Sequence, residues 1–328
     1  MKALVYTGVK SLSYQEATDP EAGTDNLIAV EAVGICGSDM HAYLGHDARR
    51  PAPLILGHEA AGLVLEGPMA GKRVTVNPLV SCGTCRYCRE GRENICPSRE
   101  IISMPPREGA FAERLVMPSS NLVEIPDGVA VEHAALAEPL AVCWHGARLG
   151  AEALFGDIKD AACLVQGGGA IGLGSALSLA AMGATDITVA EPNALRRSVV
   201  AKAGDFRVVD PSDAPRDAGY DVIIDAVGFA GTRADASAMA APGGVIVHVG
   251  LGDNEGGVDA RRLTLQEITF IGTYTYTALD FRDTAAGIFE GQFGALDWIE
   301  ERALADGAGA FADILGGQVA APKIVLRP

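Results

Sequence analysis

The chain has 328 residues, 48% hydrophobic and 21% charged. That globular composition excludes extended disorder, and the length fits two domains of about 100–200 residues each. Asp and Glu number 42 against 26 Lys and Arg, a net charge of −16, so nucleic acid is excluded as a partner because so acidic a surface repels phosphate backbones.

The N-terminus has neither a long apolar stretch nor a small-residue cleavage site, which reads as a cytoplasmic protein without membrane contact. Ala161 to Thr185 carries no charge, but its glycines split it into a strand-like and a helix-like half, not a membrane span.

The first 140 residues hold short apolar runs broken by Gly and Pro: Ala3–Tyr6, Leu27–Ile35, Ala60–Gly67, Arg73–Leu79 and Ala112–Met117. Such runs predict a β-rich domain of barrel type. Two motifs lie among them, Gly-Ile-Cys36-Gly-Ser38-Asp39-Met-His41 and Gly57-His58-Glu59. Cysteine and histidine are good zinc ligands, and Glu138, in Ala-Glu-Pro-Leu, adds a carboxylate.

Between those strands lies Cys82-x2-Cys85-x2-Cys88-x7-Cys96, with Gly83, Gly91 and Pro97 marking the segment as a loop. In a reducing compartment this spacing reads as a metal site, not a disulfide framework. Four thiolates suit zinc in a closed tetrahedral site with a structural role; an iron–sulfur cluster is the rival occupant. Cys143 and Cys163 sit in apolar runs and read as small buried hydrophobes.

From Ala161 onward the pattern changes. A strand at Ala161–Gln166 leads into Gly167-x-Gly169-Ala170-Ile171-Gly172, then a helix over Leu173–Met182 and a strand over Asp186–Ala190 ending in Glu191. Gly167 allows the tight turn, Gly169 lets the backbone approach a pyrophosphate, and Gly172 lets the helix pack on the strand. The helix N-terminus offers N–H groups and a positive dipole to the phosphates, and Glu191 can accept from ribose hydroxyls. Strands over Phe206–Val209, Tyr220–Ala226, Gly244–Val249 and Ile268–Thr273 alternate with helices over Ala194–Ala203 and Gly231–Ala240, while Leu251–Glu267 gives no clear element. This alternation predicts a doubly wound parallel sheet whose strand ends, with Val227, Gly228, Gly250 and Leu251, line a cofactor cleft. Lys323–Pro328 reads as a strand returning to the first domain.

The order of these motifs, from GICGSDMH through GHEAAG, the four-cysteine lobe, EPLAV and GGGAIG to KIVLRP, resembles the zinc-dependent medium-chain dehydrogenase/reductase family. The glutamate of EPLAV resembles its sorbitol/polyol branch. The resemblance implies an α/β protein: a GroES-like β-rich catalytic domain over 1–140 and 277–328, with a structural zinc lobe at 82–96, and a Rossmann domain binding NAD over 141–276.

It implies Cys36 and His58 as ligands of a catalytic zinc. The third ligand is Glu59 or Glu138, the latter standing where simple alcohol dehydrogenases place a second cysteine. It further implies Ser38 and His41 as a proton path, Asp39 as the partner that fixes the His58 tautomer, and Arg196 as cover for the adenosine end of NAD. Glu59 has a second implied role, as partner of a zinc-bound water. Tyr43, Phe111 and Tyr276 are expected as substrate-pocket walls. The Arg–Tyr pair of the sorbitol enzymes reads Thr275-Tyr276 here, which removes one polyol contact. The activity implied is hydride transfer from a secondary alcohol, a polyol or sugar-like molecule, to NAD, with two zinc ions per chain in a homodimer or homotetramer. An amino-alcohol, diol or aldose dehydrogenase is the alternative within the family, and a non-catalytic nucleotide-binding redox sensor is the alternative outside it.

Overall fold

A computed structural model describes all 328 residues, which divide into two compact units. The first comprises Met1–Pro139, Thr277–Gly291 and Ile299–Pro328, and the second Leu140–Tyr276 and Gln292–Trp298. Residues 292–298 therefore leave the first domain, to which 277–328 was assigned. The cause is burial: the Phe293 ring meets Trp144 edge-on at 6.0 Å, and Phe293, Leu296 and Trp298 are almost fully buried. No helix is long and apolar enough to cross a membrane.

The first unit is built on β-sheet. Its largest sheet has seven strands, and the pairing that matters for function is antiparallel, between Asn26–Gly34 and Glu59–Glu66. Gly34 stands opposite Glu59, so the end of one strand lies beside the start of the other. The C-terminal strand Lys323–Arg327 pairs with the same Asn26–Gly34, Val325 opposite Gly34, and starts at the same end of the sheet. This is the predicted return to the first domain. Two strands have no sequence signal: Ser11–Glu16 is an exposed edge strand, and Ile299–Ala303 (IEERA) is mostly polar, so neither shows an apolar run. The four-cysteine loop is closed at its base by antiparallel pairing of Leu79–Val80 with Glu100–Ile101.

Tyr43 and Phe111 belong to this unit's hydrophobic core. Both rings pack edge-on against Phe311, at 5.2 and 6.0 Å. Tyr276, in the second unit, is buried as well.

The second unit is a six-stranded parallel sheet in the order Arg207–Val209, Asp186–Ala190, Ala162–Gln166, Tyr220–Asp225, Ala240–His248, Thr269–Gly272. Chain order reverses between the strands ending at Gln166 and Asp225, the place where doubly wound sheets bind ligands. The helix after the glycine turn runs Ala170–Ala181 and so starts before the predicted Leu173, because Gly169 itself is the N-cap. The ambiguous stretch 251–267 contains one short helix, Ala260–Leu265, capped by the Asp259 carboxylate accepting from Arg262 N–H. Cys143 and Cys163 are fully buried as expected, and burial pushes the Cys163 thiol up to about 12.

Gly172 is the tightest point of the glycine turn, since a Cβ there would overlap the Gly167 carbonyl oxygen. Gly172→Ala must push the helix off the strand, an overpacking cost of roughly 1–3 kcal/mol. We expect a fall of several degrees in thermal midpoint, with loss of the further stabilisation that added NADH gives the parent, both read by scanning fluorimetry.

Candidate functional site

The pairing of Gly34 with Glu59 assembles the first site. Cys36 follows the end of one strand and His58 precedes the start of the other, so register alone brings them together. Ligand atoms of Cys36, His58 and Glu59 all lie within 4.8 Å of one another. His58 and Glu59 are buried and Cys36 is half-buried. Glu138 is buried at the first turn of the helix Ala137–Ala153 but stands outside that trio.

Each member is held from behind. The Asp39 carboxylate accepts from Cys36 N–H at 3.0 Å and Gly57 N–H at 3.2 Å, and its Oδ1 lies 3.5 Å from His58 Nδ1. One fully buried carboxylate thus fixes the backbone of both ligand segments and orients the imidazole, the second task being the one predicted for Asp39. Burial works against the Asp39 charge, but His58, Arg50 and the hydrogen bonds hold its carboxyl below the usual range. Burial likewise works against a charged His58, yet Asp39 and Cys36 raise it well above the ordinary histidine value.

Glu59 shows how the residues fit such an ion. Its Oε1 accepts from Lys323 Nζ at 2.6 Å, while its Oε2 is buried without a hydrogen-bond partner. A Cβ on Gly34 would overlap that Oε2, so the glycine makes the room the carboxylate occupies. A buried carboxylate oxygen without a donor is costly unless a cation completes it. Cys, His and Glu donors suit zinc, and three protein ligands leave a fourth position open.

The four cysteines form the second metal centre. Their sulfurs lie within 4.8 Å of one another, with Cys82–Cys88 at 3.9 Å, Cys85–Cys88 at 3.5 Å and Cys82–Cys96 at 3.5 Å. Zinc–sulfur bonds of about 2.3 Å imply sulfur–sulfur edges of about 3.8 Å in a tetrahedron, so the cluster has the size of a closed zinc site. Backbone N–H groups of Thr84 and Cys85, with Cys96 and the Thr84 hydroxyl, lower the Cys82 thiol to about 6, toward the thiolate a metal requires.

Ser38 and His41 lie three residues apart on the helix Gly37–Tyr43, which puts them on one face. Both are half-buried, and the ring of the exposed His46 stands 6.4 Å from that of His41.

In the second unit, Gly167 has φ +92°, and Gly169 caps its helix without a side-chain cap, facing open space where a Cβ would meet nothing. A cradle of bare backbone at the N-terminus of a twelve-residue helix fits a pyrophosphate. Ala170 and Ile171 begin that helix. The Glu191 carboxylate accepts from Gly168 N–H at 2.7 Å and Asn193 N–H at 2.7 Å, which ties it to the glycine turn and leaves lone pairs for ribose hydroxyls. Arg196 Nη1 lies 3.9 Å from Glu191 Oε1. Arg197 is engaged by the Glu191 and Pro192 carbonyls and by Asp210.

The loops at Val227–Gly228 and Gly250 touch backbone to backbone, with no room for a Cβ on either glycine, and Leu251 is exposed beside them. Asp225 locks the first of these loops by accepting from Val227 and Gly228 N–H. Arg233 locks the second through Gly228, Asp253, Glu255 and Gly256.

Sequence reading missed Lys323, Arg50, Asp225 and Arg233, since each acts through partners distant along the chain. Only Lys323 carried a signal, as a charge opening the otherwise apolar strand Lys-Ile-Val-Leu.

Comparison with known proteins gives family matches in both units. The alcohol dehydrogenase GroES-like domain matches residues 22–127, and the zinc-binding dehydrogenase domain matches residues 170–290. An L-idonate 5-dehydrogenase of Vitis vinifera is 31% identical over 82% of this chain and 78% of its own length. An Escherichia coli CFT073 protein described as a short chain alcohol dehydrogenase, solved with NADH, superposes at TM-score 0.90 with 25% identity over 100% of this chain and 99% of that one. A zinc-binding dehydrogenase of Sinorhizobium meliloti 1021, solved with NADP, superposes at 0.88 with 28% identity over 100% of this chain and 99% of that one.

Lys323→Met would strand the Glu59 carboxylate in the core. Removing one member of a buried ion pair costs about 3–5 kcal/mol. We expect the unfolding free energy of the apo protein, from urea titration, to fall by that amount, with part of the loss recovered when zinc is added back.

Proposed function

The chain belongs to the zinc-dependent medium-chain dehydrogenase/reductase family, and from that premise we propose that it oxidises a secondary alcohol of a polyol or sugar-like substrate with NAD. The observation that carries this reading is the trio of half-buried Cys36 and buried His58 and Glu59, with the orphaned Glu59 Oε2 turned to no protein donor.

In this reading Cys36, His58 and Glu59 hold the reactive zinc, with Glu138 as the alternative carboxylate ligand, and Cys82, Cys85, Cys88 and Cys96 hold the structural one. A zinc ion, when bound, supplies a Lewis acid that lowers the pKa of a substrate hydroxyl. Nicotinamide, when bound, supplies the hydride acceptor. The chain's own residues do the rest. Ser38 Oγ would accept the hydroxyl proton as it releases its own toward His41, on the same helix face, whose imidazole would pass a proton on to solvent. Asp39 keeps the His58 ring in one tautomer. Gly167, Gly169, Ala170, Ile171 and Gly172 would seat the pyrophosphate, Glu191 would accept from the ribose, Arg196 would cover the adenosine end, and Val227, Gly250 and Leu251 would lie on the nicotinamide side.

Substrate class rests on likeness to relatives such as the L-idonate enzyme. A homodimer or homotetramer in the cytoplasm belongs to the same reading and rests on family likeness alone.

Two measurements test the reading. Brief chelation should remove one zinc of two and abolish NADH production from polyols and sugar acids, while the fold, followed by circular dichroism, persists. An enzyme fully active with a single zinc per chain would overturn the two-site assignment.

Cofactor preference tests Glu191. A carboxylate at the ribose disfavours the roughly two negative charges of a 2′-phosphate, and Arg197 is already committed to Asp210 and two carbonyls. The parent is expected to prefer NAD. Glu191→Ser should lower kcat/KM for NAD about tenfold or more, since a hydrogen bond to a charged acceptor is worth roughly 1.5–3 kcal/mol, and raise that for NADP. Equal use of both cofactors by the parent would remove Glu191 as the determinant.

A further inference from the structure

We propose that Ser103 is a second positioning residue for the His58 imidazole and that the Arg50 guanidinium holds Ser103 in place; the inference rests on the zinc reading above.

Ser103 is fully buried and adopts φ +66°, in the left-handed region. A residue with a Cβ is strained there, and glycine would not be. Its backbone conformation does not call for a serine, but its side chain has a partner. Ser103 Oγ lies 3.5 Å from His58 Nδ1, the same nitrogen that Asp39 Oδ1 faces at 3.5 Å. Nδ1 is therefore bracketed by a carboxylate and a hydroxyl from two separate segments, and Nε2 is left as the nitrogen for a metal. One anchor lets an imidazole pivot about its contact; two from different directions set the plane of the ring.

Arg50 supplies the force that holds the strained segment. Its side chain is almost fully buried, and its Nε donates to the Ser103 carbonyl at 3.0 Å. Its Nη1 donates to the Ser38 carbonyl at 3.2 Å and to Asp47 Oδ2 at 2.8 Å. The Asp47 side chain is itself nearly buried, so the guanidinium charge is paired where it sits. The same group thus ties the segment bearing Ser103 to the helix that carries Ser38 and His41. Strain of this kind persists where the surroundings impose it, and here they aim a hydroxyl at a metal-ligand histidine.

Ser103→Gly separates positioning from folding, because glycine accepts the left-handed backbone and lacks only the hydroxyl. In the full-length enzyme, three quantities are followed: thermal midpoint, the rate at which the labile zinc passes to a chromophoric chelator, and the visible spectrum after cobalt replaces that zinc. The expected result is a midpoint equal to or above the parent's, zinc release faster by about tenfold or more, in line with losses seen when outer partners of metal-bound histidine are removed, and shifted cobalt bands. Arg50→Lys should fall between the parent and Arg50→Met in release rate. If Arg50→Met does not fold, Ser103→Gly carries the test unaided. A Ser103→Gly enzyme with the parent's release rate and cobalt spectrum overturns the proposal and leaves the zinc reading standing. A parent that yields no labile zinc and no cobalt–thiolate spectrum overturns the zinc reading, and this inference with it.

Discussion

The first unit depends on one register. Gly34 lies opposite Glu59, and the missing Cβ is the space the Glu59 carboxylate fills. A slip of one residue would turn every side chain of Glu59–Glu66 to the other face of the sheet. It would also part Cys36 from His58 and bring the carboxylate against a strand with no room for it. The C-terminal strand then adds Lys323 at the same end, its ammonium shared between Glu59 Oε1 and the Ile35 carbonyl. Three segments far apart in the chain, near residues 35, 58 and 323, meet because two antiparallel pairings share the strand Asn26–Gly34.

Around this register the unit buries a dense set of charges. Asp39, Glu59 and Glu138 are buried on the acidic side, Lys323 and Arg50 on the basic side, and His58 lies among them. Burial works against the charged form of Lys323, but Glu59 and Cys36 hold its pKa above the ordinary value. Such ionic interiors contribute little net stability compared with apolar packing. Their value lies in fixed geometry, since each partner of the trio is held by a group that cannot move without exposing another charge. The four-cysteine lobe follows a different logic. It is a loop with little core of its own, closed by two residue pairs at its base, and metal coordination is the interaction able to order it.

In the second unit close backbone approach does the work that charge does in the first. Gly172 against Gly167, and Gly228 against Gly250, are contacts without space for a side chain. The first seats the helix on the strand that ends at Gln166, and the second joins the loops that follow Asp225 and His248. Asp225 and Arg233 then pin the loops that leave those strands, one by its carboxylate accepting backbone N–H groups, the other by its guanidinium donating to backbone carbonyls. Rigid loop ends of this kind let a cofactor bind without first ordering the chain.

Local patterns made much of this protein legible in advance. The thiol spacing of Cys82 to Cys96 and the sequence from Ala161 to Glu191 are short-range signals, because one loop or one strand–turn–helix unit contains all the partners. The apolar runs of the parallel strands are visible for the same reason. Polar edge strands such as Ser11–Glu16 carry no such pattern, and Tyr43 and Phe111 could not be assigned to the core until Phe311, some 200 residues further on, was placed against them. Residue types at Cys36, His58, Glu59 and Glu138 identified candidate ligands, but their grouping was undecided in one dimension. Strand register set the Glu59 carboxylate within 4.8 Å of the Cys36 and His58 ligand atoms and brought Lys323 to it, while two loops carry Arg50 and Ser103 to the same place. Those contacts span tens to hundreds of residues, and only the tertiary fold closes such distances.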